Sequence, residues 1–183
     1  MSGFLFAFIT VVLAGVGARD QITVARLASA MGQRPALLVL AVALSVATAA
    51  FAAWLSVEVS SWLAPPARVL FGAMALGFAG LESLLLSPGR KPEEPTQSLA
   101  AVAIVLLAHQ ITDAARFIVF GMAVATGAAI PAGAGGALGG VFVLVAAWAM
   151  PELFDWNRVR LWRRVTGALL LVAALVIGLG GLG

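Results

Sequence analysis

Long apolar runs separated by short turns dominate the pattern of hydrophobic and polar positions along the chain. A helix of roughly 20 apolar residues crosses a bilayer core about 30 Å thick, and about six runs of that length are present. The pattern therefore predicts an all-α membrane protein with six transmembrane helices. The runs extend from about Gly3 to Met31, Ala36 to Leu63, Val69 to Leu86, Ser98 to Val124, Pro131 to Met150, and from the end of "PELFDWNRVRLWRR" to the C-terminus.

A polar, proline-rich stretch, "SPGRKPEEPTQ", divides these runs into two groups of three. It predicts a first three-helix repeat over residues 1–86, a linker over 87–97 and a second repeat over 98–183. An odd number of spans in each half inserts the second half upside down, so we expect an inverted repeat. An offset of 95 residues places Gly32 on Gly127, which supports this interpretation.

Composition agrees with membrane insertion and excludes several other functions. With 62% hydrophobic and 10% charged residues and a mean hydropathy of +1.08, the chain has too little polar surface for a water-soluble globule. No phosphate loop, nucleophile elbow or paired-carboxylate hydrolase motif is present, so we expect neither an enzyme nor a nucleic-acid partner. Without cysteine, and with His109 as the lone histidine, a tetrahedral zinc site or another resident cofactor is not expected.

The distribution of basic residues predicts the orientation in the membrane. In a six-helix arrangement eight of them fall on one side and Arg68 alone on the other, which places both termini away from the cytoplasm of a bacterial inner membrane. The N-terminus lacks a basic n-region, so its apolar run is interpreted as a retained first helix. The eight residues are Arg26, Arg34, Arg90, Lys91, Arg158, Arg160, Arg163 and Arg164.

Four charged residues fall inside predicted spans instead of in loops: Arg19, Asp20, Asp113 and Arg116. Burying each at a helix centre costs about 2.5 to 3.5 kcal/mol on insertion scales, so each should have a partner or face a wet cavity. Their charges sum to zero. We hypothesise that they line a substrate path between the first helices of the two repeats; the alternative is a set of static ion pairs that lock the bundle.

Other polar residues extend this hypothesis. His109, Gln110, Asp113 and Arg116 have the spacing of a polar stripe along one continuous helix. His109 could carry a proton beside Asp113, although a lone histidine in a helix is more often a hydrogen-bonded packing residue. Glu58 and Glu82 lie near span ends, where the default expectation is a solvated, interfacial carboxylate.

Small residues recur at intervals of four in the fifth predicted span. Gly135 with Gly139, and Gly136 with Gly140, would let helix backbones approach closely in lipid. Such faces could serve packing within one chain, which we favour, or contacts between copies in a homo-oligomer. The bilayer itself is the one partner that the apolar runs require.

The stretches "GVGARDQ" and "QITDAAR" resemble the motif E-x-G-D-[K/R]-[T/S]-Q, which opens each half of the Gdt-one type of calcium and manganese exporters. These cation/proton exchangers, grouped with the lysine-exporter superfamily, consist of two inverted three-helix halves. The layout of "AGVGARDQITVARLASAMGQRP", the proline turn and "RVLFGAMALGFAGLESLL" is similar to that of the family nearly through residue 86. The resemblance implies a secondary transporter that exports a divalent cation such as Mn²⁺ or Ca²⁺ against protons.

Both motifs depart from the family pattern. The first keeps Gly17, Arg19 and Gln21, whereas Gly15, Ala18 and Asp20 replace its glutamate, aspartate and hydroxyl residue. The second keeps Asp113, and its other motif positions hold Gln110, Thr112, Ala114, Ala115 and Arg116. Three of the four motif carboxylates are therefore missing, with Asp20 as a displaced substitute.

The oxygen atoms left at these positions define the candidate site. Hard divalent cations are bound by several oxygen ligands, and five residues could supply them: Asp113, Gln110, Asp20, Gln21 and Thr112, with the two aspartates as the metal-binding carboxylates. Arg19, Arg116 and His109 are candidates for charge pairing or gating, and the arginines would repel a cation. Two alternatives stay open: a changed, anionic or zwitterionic substrate, and a transport-inactive membrane scaffold whose buried charges are static salt bridges.

Overall fold

A computed structural model of the chain describes residues 2–87 and 98–181. Those residues form an all-helical protein without strands. The predicted linker falls almost entirely outside them. The helices are α1 (Ser2–Gly15), α2 (Arg19–Met31), α3 (Pro35–Trp62), α4 (Pro65–Leu85), α5 (Leu99–Ile111), α6 (Ala114–Thr126), α7 (Ala129–Ala149) and α8 (Trp156–Gly180), with a short 3₁₀ helix over Pro151–Phe154 before α8.

Local sequence explains where several helices begin and end. Prolines occupy the first turns of α3 and α4, where their fixed φ suits a helix and no backbone N–H is required. Gly32 after α2 and Gly127 after α6 have φ of 78° and 63°, values that glycine adopts without the Cβ strain of other residues. Both of these glycines stop a helix at the same point in their half of the chain.

Four helices are long and apolar enough to cross a membrane: α3, α4, α7 and α8. The first and fourth predicted spans are not continuous helices, which corrects the sequence-based expectation. α1 and α2 are bent by 57° at a short break, and α5 and α6 by 48°. The number of spans in the described part of the chain is therefore four, or up to six if each bent pair makes one crossing.

The element order of the first half recurs in the second. Arg19 and Ala114, which begin α2 and α6, are 95 residues apart, and so are Met31 and Thr126, which end them. The same offset of 95 relates the ends of α4 and α8, at Leu85 and Gly180. Each half thus consists of one bent helix pair followed by two long helices.

Two helices organise the packing. α7 contacts α1, α3 and α6, while α4 lies against both α6 and α8. Small residues permit these close approaches: Gly80 on α4 and Gly167 on α8 face each other across one such contact, and Gly72 lies against Gly121 of α6. The glycine faces singled out in α7 are also occupied within the chain. Gly135 and Gly139 meet the backbone of α1, Gly136 meets Val119, and Gly140 meets Ser45.

The α1–α7 contact provides a test of this packing. A Cβ at Gly135 would lie well inside van der Waals contact of the Phe4 carbonyl, which is backbone and cannot rotate away. Overpacking of this kind costs typically about 1–3 kcal/mol. We expect Gly135→Ala to lower the thermal unfolding temperature of the purified protein in detergent. Gly77→Ala is the matched control, because a Cβ there meets only Ala174 at 3.8 Å. If both variants lowered the unfolding temperature equally, the result would contradict the α1–α7 contact.

Candidate functional site

The two helix breaks lie against each other. Arg19, the first residue of α2, donates hydrogen bonds from Nη2 to the backbone oxygen of Thr112 at 3.0 Å and to its hydroxyl oxygen at 2.9 Å. Thr112 follows the last residue of α5, so one side chain connects the break of the first half with that of the second. Two candidate residues that are 93 positions apart in the sequence are brought together in this way.

Glycine and glutamine build the first break. Gly17 has φ of 81°, and a Cβ there would also meet Cγ2 of Val159 at 2.9 Å. The backbone N–H of Gly17 donates to Oε1 of Gln21 at 2.6 Å, and Nε2 of Gln21 donates to the Val143 carbonyl at 3.2 Å. Gln21, a predicted ion ligand, is thus fully buried with both ends of its amide bound to protein backbone.

Asp20 lies beside this amide in the first turn of α2. Its Oδ1 accepts the backbone N–H of Gln21 at 2.7 Å, and the residue is buried. A carboxylate in the first turn of a helix also interacts favourably with the positive end of the helix dipole. The hydrogen bond to Gln21 uses one of the two carboxylate oxygens of Asp20 and binds the side chain to the start of α2.

Asp113 is the N-cap of α6 and ends the continuity between α5 and α6. Its φ and ψ of −87° and 148° are extended, and Oδ2 accepts the backbone N–H of Ala115 at 3.3 Å. The predicted polar stripe over residues 109–116 is therefore wrong, since the helix is interrupted inside it. A capping aspartate competes with the helical backbone for hydrogen bonds, which explains why the interruption falls at this residue.

Two acceptor oxygens at this second break have no hydrogen-bond partner. They are Oδ1 of Asp113 and Oε1 of Gln110, both on buried side chains. The amide nitrogen of Gln110, in contrast, donates to the Ala41 carbonyl at 3.4 Å. Leaving a buried acceptor unpaired costs about 1–3 kcal/mol, more when it is charged, so these two oxygens mark a place where a ligand or proton could be held.

Glu82 of α4 binds two arginines at once. Its Oε1 lies 3.3 Å from Nε of Arg19, and its Oε2 accepts a short hydrogen bond from Nη2 of Arg163 on α8. Glu82 and Arg163 are 6% and 1% exposed. The expectation of a solvated Glu82 is therefore wrong. Arg163, which the sequence placed in the charged connection before the last span, is a buried residue of α8. Each side chain is buried because the other compensates its charge.

Arg116 is held by hydroxyl groups of α3. Nε donates to Thr48 at 2.8 Å and Nη2 to Ser45 at 2.9 Å, whereas Nη1 has no partner. No carboxylate of the described residues lies within 4 Å of it, so the alternative of static ion pairs does not hold for Arg116. Gly140 of α7 makes room for this group, because a Cβ there would meet the Ser45 hydroxyl oxygen at 2.5 Å.

His109 lies on the α5 side of the break. Its Nδ1 is 3.3 Å from the hydroxyl of Thr23 on α2, and the Thr23 hydroxyl also lies 2.7 Å from the Arg19 carbonyl, to which it donates. The histidine thus contacts the same helix that carries Arg19. Its place beside the junction of the two breaks agrees with the predicted neighbourhood of the site.

Taken together, six charged side chains form what we call the charged interior. Asp113 is within electrostatic range of Asp20, Glu82, Arg116 and Arg163, and Arg19 joins them through Glu82. Three arginines and three carboxylates give a formal charge of zero. Within residues 2–87 and 98–181, no three His, Cys, Asp or Glu side chains are gathered as a ready-made metal site.

Sequence reasoning missed four members of this site. Glu82 and Arg163 were assigned to the membrane boundary by their distance from helix ends; Ser45 and Thr48 drew no attention in an apolar span. A usable signal was present for Glu82, because the leucines after it keep the carboxylate inside an apolar run. Comparison with known proteins adds no assignment: no family model, curated protein or solved structure matches the chain.

Removing the Glu82 carboxylate should destabilise the fold strongly. Breaking a buried pair by deleting one partner costs typically about 3–5 kcal/mol, since the partner is left uncompensated, and Glu82→Ala would leave two arginines in that state. We expect Glu82→Ala to lower the free energy of unfolding in detergent far more than Glu58→Ala, which removes an exposed carboxylate from α3. Similar stabilities of the two variants would show that the Glu82 ion pairs contribute nothing.

Proposed function

We propose that this chain is a secondary transporter that exchanges a small cation for protons at the junction of its two helix breaks. The observation that carries the proposal is the pair of buried, unpartnered oxygens at the second break, Oδ1 of Asp113 and Oε1 of Gln110. A transported cation or a proton on the carboxylate would satisfy them in turn. The proposed cargo is a divalent ion of the Mn²⁺ or Ca²⁺ type, as the family resemblance implies.

Broken helices are the second support. In transporters built from inverted repeats, discontinuous helices meet near the bilayer midplane, and their unwound carbonyls and helix ends bind the cargo and the coupling ion. Here the breaks recur 95 residues apart, before Arg19 and before Ala114. We interpret the two halves as inverted repeats, each with one bent crossing and two straight ones, and the membrane as a bacterial inner membrane.

The arginines are less of an obstacle to a cation than their number suggests. Glu82 compensates Arg19 and binds Arg163, so neither guanidinium is directed without a counter-charge at Asp113. Asp20 and Asp113 are then the carboxylates that remain for exchange chemistry. Gln110 would add a neutral oxygen ligand, whereas Gln21 serves the first break and is removed from the proposed ligand set.

Proteoliposome flux tests the proposal directly. We expect purified protein to move Mn²⁺ or Ca²⁺ when a pH gradient is imposed, and Asp113→Asn to reduce that flux at least about ten-fold, equivalent to about 1.4 kcal/mol of lost stabilisation. Asparagine still caps α6 but carries no charge, so the fold should persist. Asp155→Asn, at the exposed N-cap of α8, is the control. No cation flux in the wild type would overturn the proposal and favour the scaffold.

A second candidate cargo is favoured by a different observation. Nη1 of Arg116 is buried without a partner, and the charged interior is already neutral. A divalent cation would add two uncompensated charges to it, whereas a zwitterion adds none. The free N–H group and the free oxygens could then bind the two ends of one zwitterionic substrate.

Arg116 separates the two candidates. If the cargo is zwitterionic or anionic, Arg116→Gln should abolish its uptake, because the amide lacks the charge and the second N–H edge of the guanidinium. If the cargo is a cation, the same change removes a repulsive charge, and flux should persist or rise. Uptake of labelled amino acids and of Mn²⁺ into the same vesicles distinguishes these results; Arg158→Gln, on an exposed face, is the matched control.

A further inference from the structure

A polar pocket lies between the end of α4 and the start of α8, apart from the charged interior. It encloses about 260 Å³ and is lined by residues 83–87, Arg160 and Arg164. The two arginines are one helical turn apart and therefore project from the same face of α8. Both are exposed, and no carboxylate of the described residues lies within 4 Å of either.

The α4 side of this pocket supplies acceptors. Leu86 caps the helix by donating its N–H to the Glu82 carbonyl, and no backbone N–H in the described ranges donates to the carbonyls of Ser83, Leu84 or Leu85. The end of a helix also carries partial negative charge. The pocket thus presents two guanidinium groups on one wall and, on the other, helix carbonyls that have no donor within residues 2–87 and 98–181.

Ser83 adds an independent observation. The residue is only 2% exposed, and its buried hydroxyl has no hydrogen-bond partner. Ser60 and Ser61 behave differently, since each donates to the carbonyl three residues earlier in its helix. A helical serine that does not make this local bond has an unsatisfied hydroxyl. Because this oxygen is covered by protein, a ligand in the pocket could bind it only after the Ser83 side chain rotates.

Apolar surface surrounds the pocket. Leu85 is 74% exposed, Leu161 71% and Val165 49%, and the charged part of α8 gives way to its apolar part after Arg164. Such a change marks the boundary between headgroups and acyl chains. A ligand in the pocket would therefore have polar contacts inside it and a hydrocarbon surface beside it, which is the character of a phospholipid and not of free phosphate.

We propose that this pocket binds the headgroup of an amine-bearing phospholipid of the phosphatidylethanolamine class. The phosphate would lie against Arg160 and Arg164, as phosphates do with guanidinium groups. The primary ammonium would donate to the free carbonyls at the end of α4, and the acyl chains would cover Leu161 and Val165. A glycerol headgroup would bring hydroxyl donors but no positive charge to the negative end of the helix, and a quaternary amine has no N–H to offer the carbonyls. This inference does not depend on the transport proposal.

Native mass spectrometry of the delipidated full chain tests it. Phosphatidylethanolamine, phosphatidylcholine, phosphatidylglycerol and inorganic phosphate are titrated separately in detergent. We expect phosphatidylethanolamine to bind about ten-fold more tightly than phosphatidylcholine, and the double variant Arg160→Gln/Arg164→Gln to remove that preference. Arg158→Gln, an exposed arginine of the same helix that does not line the pocket, should keep it.

Four results would overturn the proposal. Equal binding of phosphatidylethanolamine and phosphatidylcholine would show that the carbonyls do not select the headgroup. Tighter binding of phosphatidylglycerol than of phosphatidylethanolamine would indicate a simple anion site. Displacement of the lipid by inorganic phosphate at millimolar concentration would indicate a free-phosphate site. If Arg158→Gln lost the preference for phosphatidylethanolamine to the same extent as the double variant, the preference would come from the net charge of α8 and not from the pocket. Thermal unfolding of each variant without lipid confirms that the fold is unchanged.

Discussion

Compensation of buried charge is the constraint on which the rest of this structure depends. Glu82 meets it most directly, because one carboxylate with two guanidinium partners joins α2, α4 and α8. In an apolar interior an uncompensated charge is far more costly than in water, so these helices can pack closely only in the register that keeps the ion pairs. The close contact of Gly80 with Gly167 belongs to the same α4–α8 interface and allows the backbones to approach near enough for Glu82 to reach Arg163.

The helix breaks are subject to a similar constraint, which concerns buried backbone groups instead of buried charges. Interrupting a helix inside a membrane frees backbone groups that lipid cannot satisfy, and the chain supplies protein partners for them. Gln21 binds the N–H of Gly17, Asp113 caps α6, and Arg19 takes the Thr112 carbonyl. The side chains that stabilise the breaks are thus the polar residues that stand out in the sequence, and this double use limits how many of them can also bind a cargo.

Sequence alone predicted the coarse architecture because apolar run length and turn residues are local properties. The long helices α3, α4 and α7 fall close to their predicted bounds, whereas α8 begins at Trp156, inside the charged connection that was predicted to precede it. Gly32 and Gly127 end equivalent helices. The interruption at Asp113 was missed because helical spacing in residues 109–116 fits an unbroken helix equally well; only the capping bond to Ala115 distinguishes the two. Glu82 and Arg163 were missed for a different reason: they are 81 residues apart, and no local pattern reports that two distant charges compensate each other.

In the transport cycle proposed for this protein, Arg19 would restrict how the two halves move. It is bound to Glu82 in its own half and to Thr112 in the other, so the halves cannot move apart at the breaks without leaving a guanidinium or a carboxylate short of a partner. Such a movement becomes accessible when something else supplies the missing charge or hydrogen bonds at that moment. A cargo held by Asp113 and Gln110 beside Thr112 would be in position to do so, and occupancy of the proposed site would then be coupled to the movement. Arg19 and Glu82 would then be tolerated in both states for one reason, because each would keep a partner for its charge.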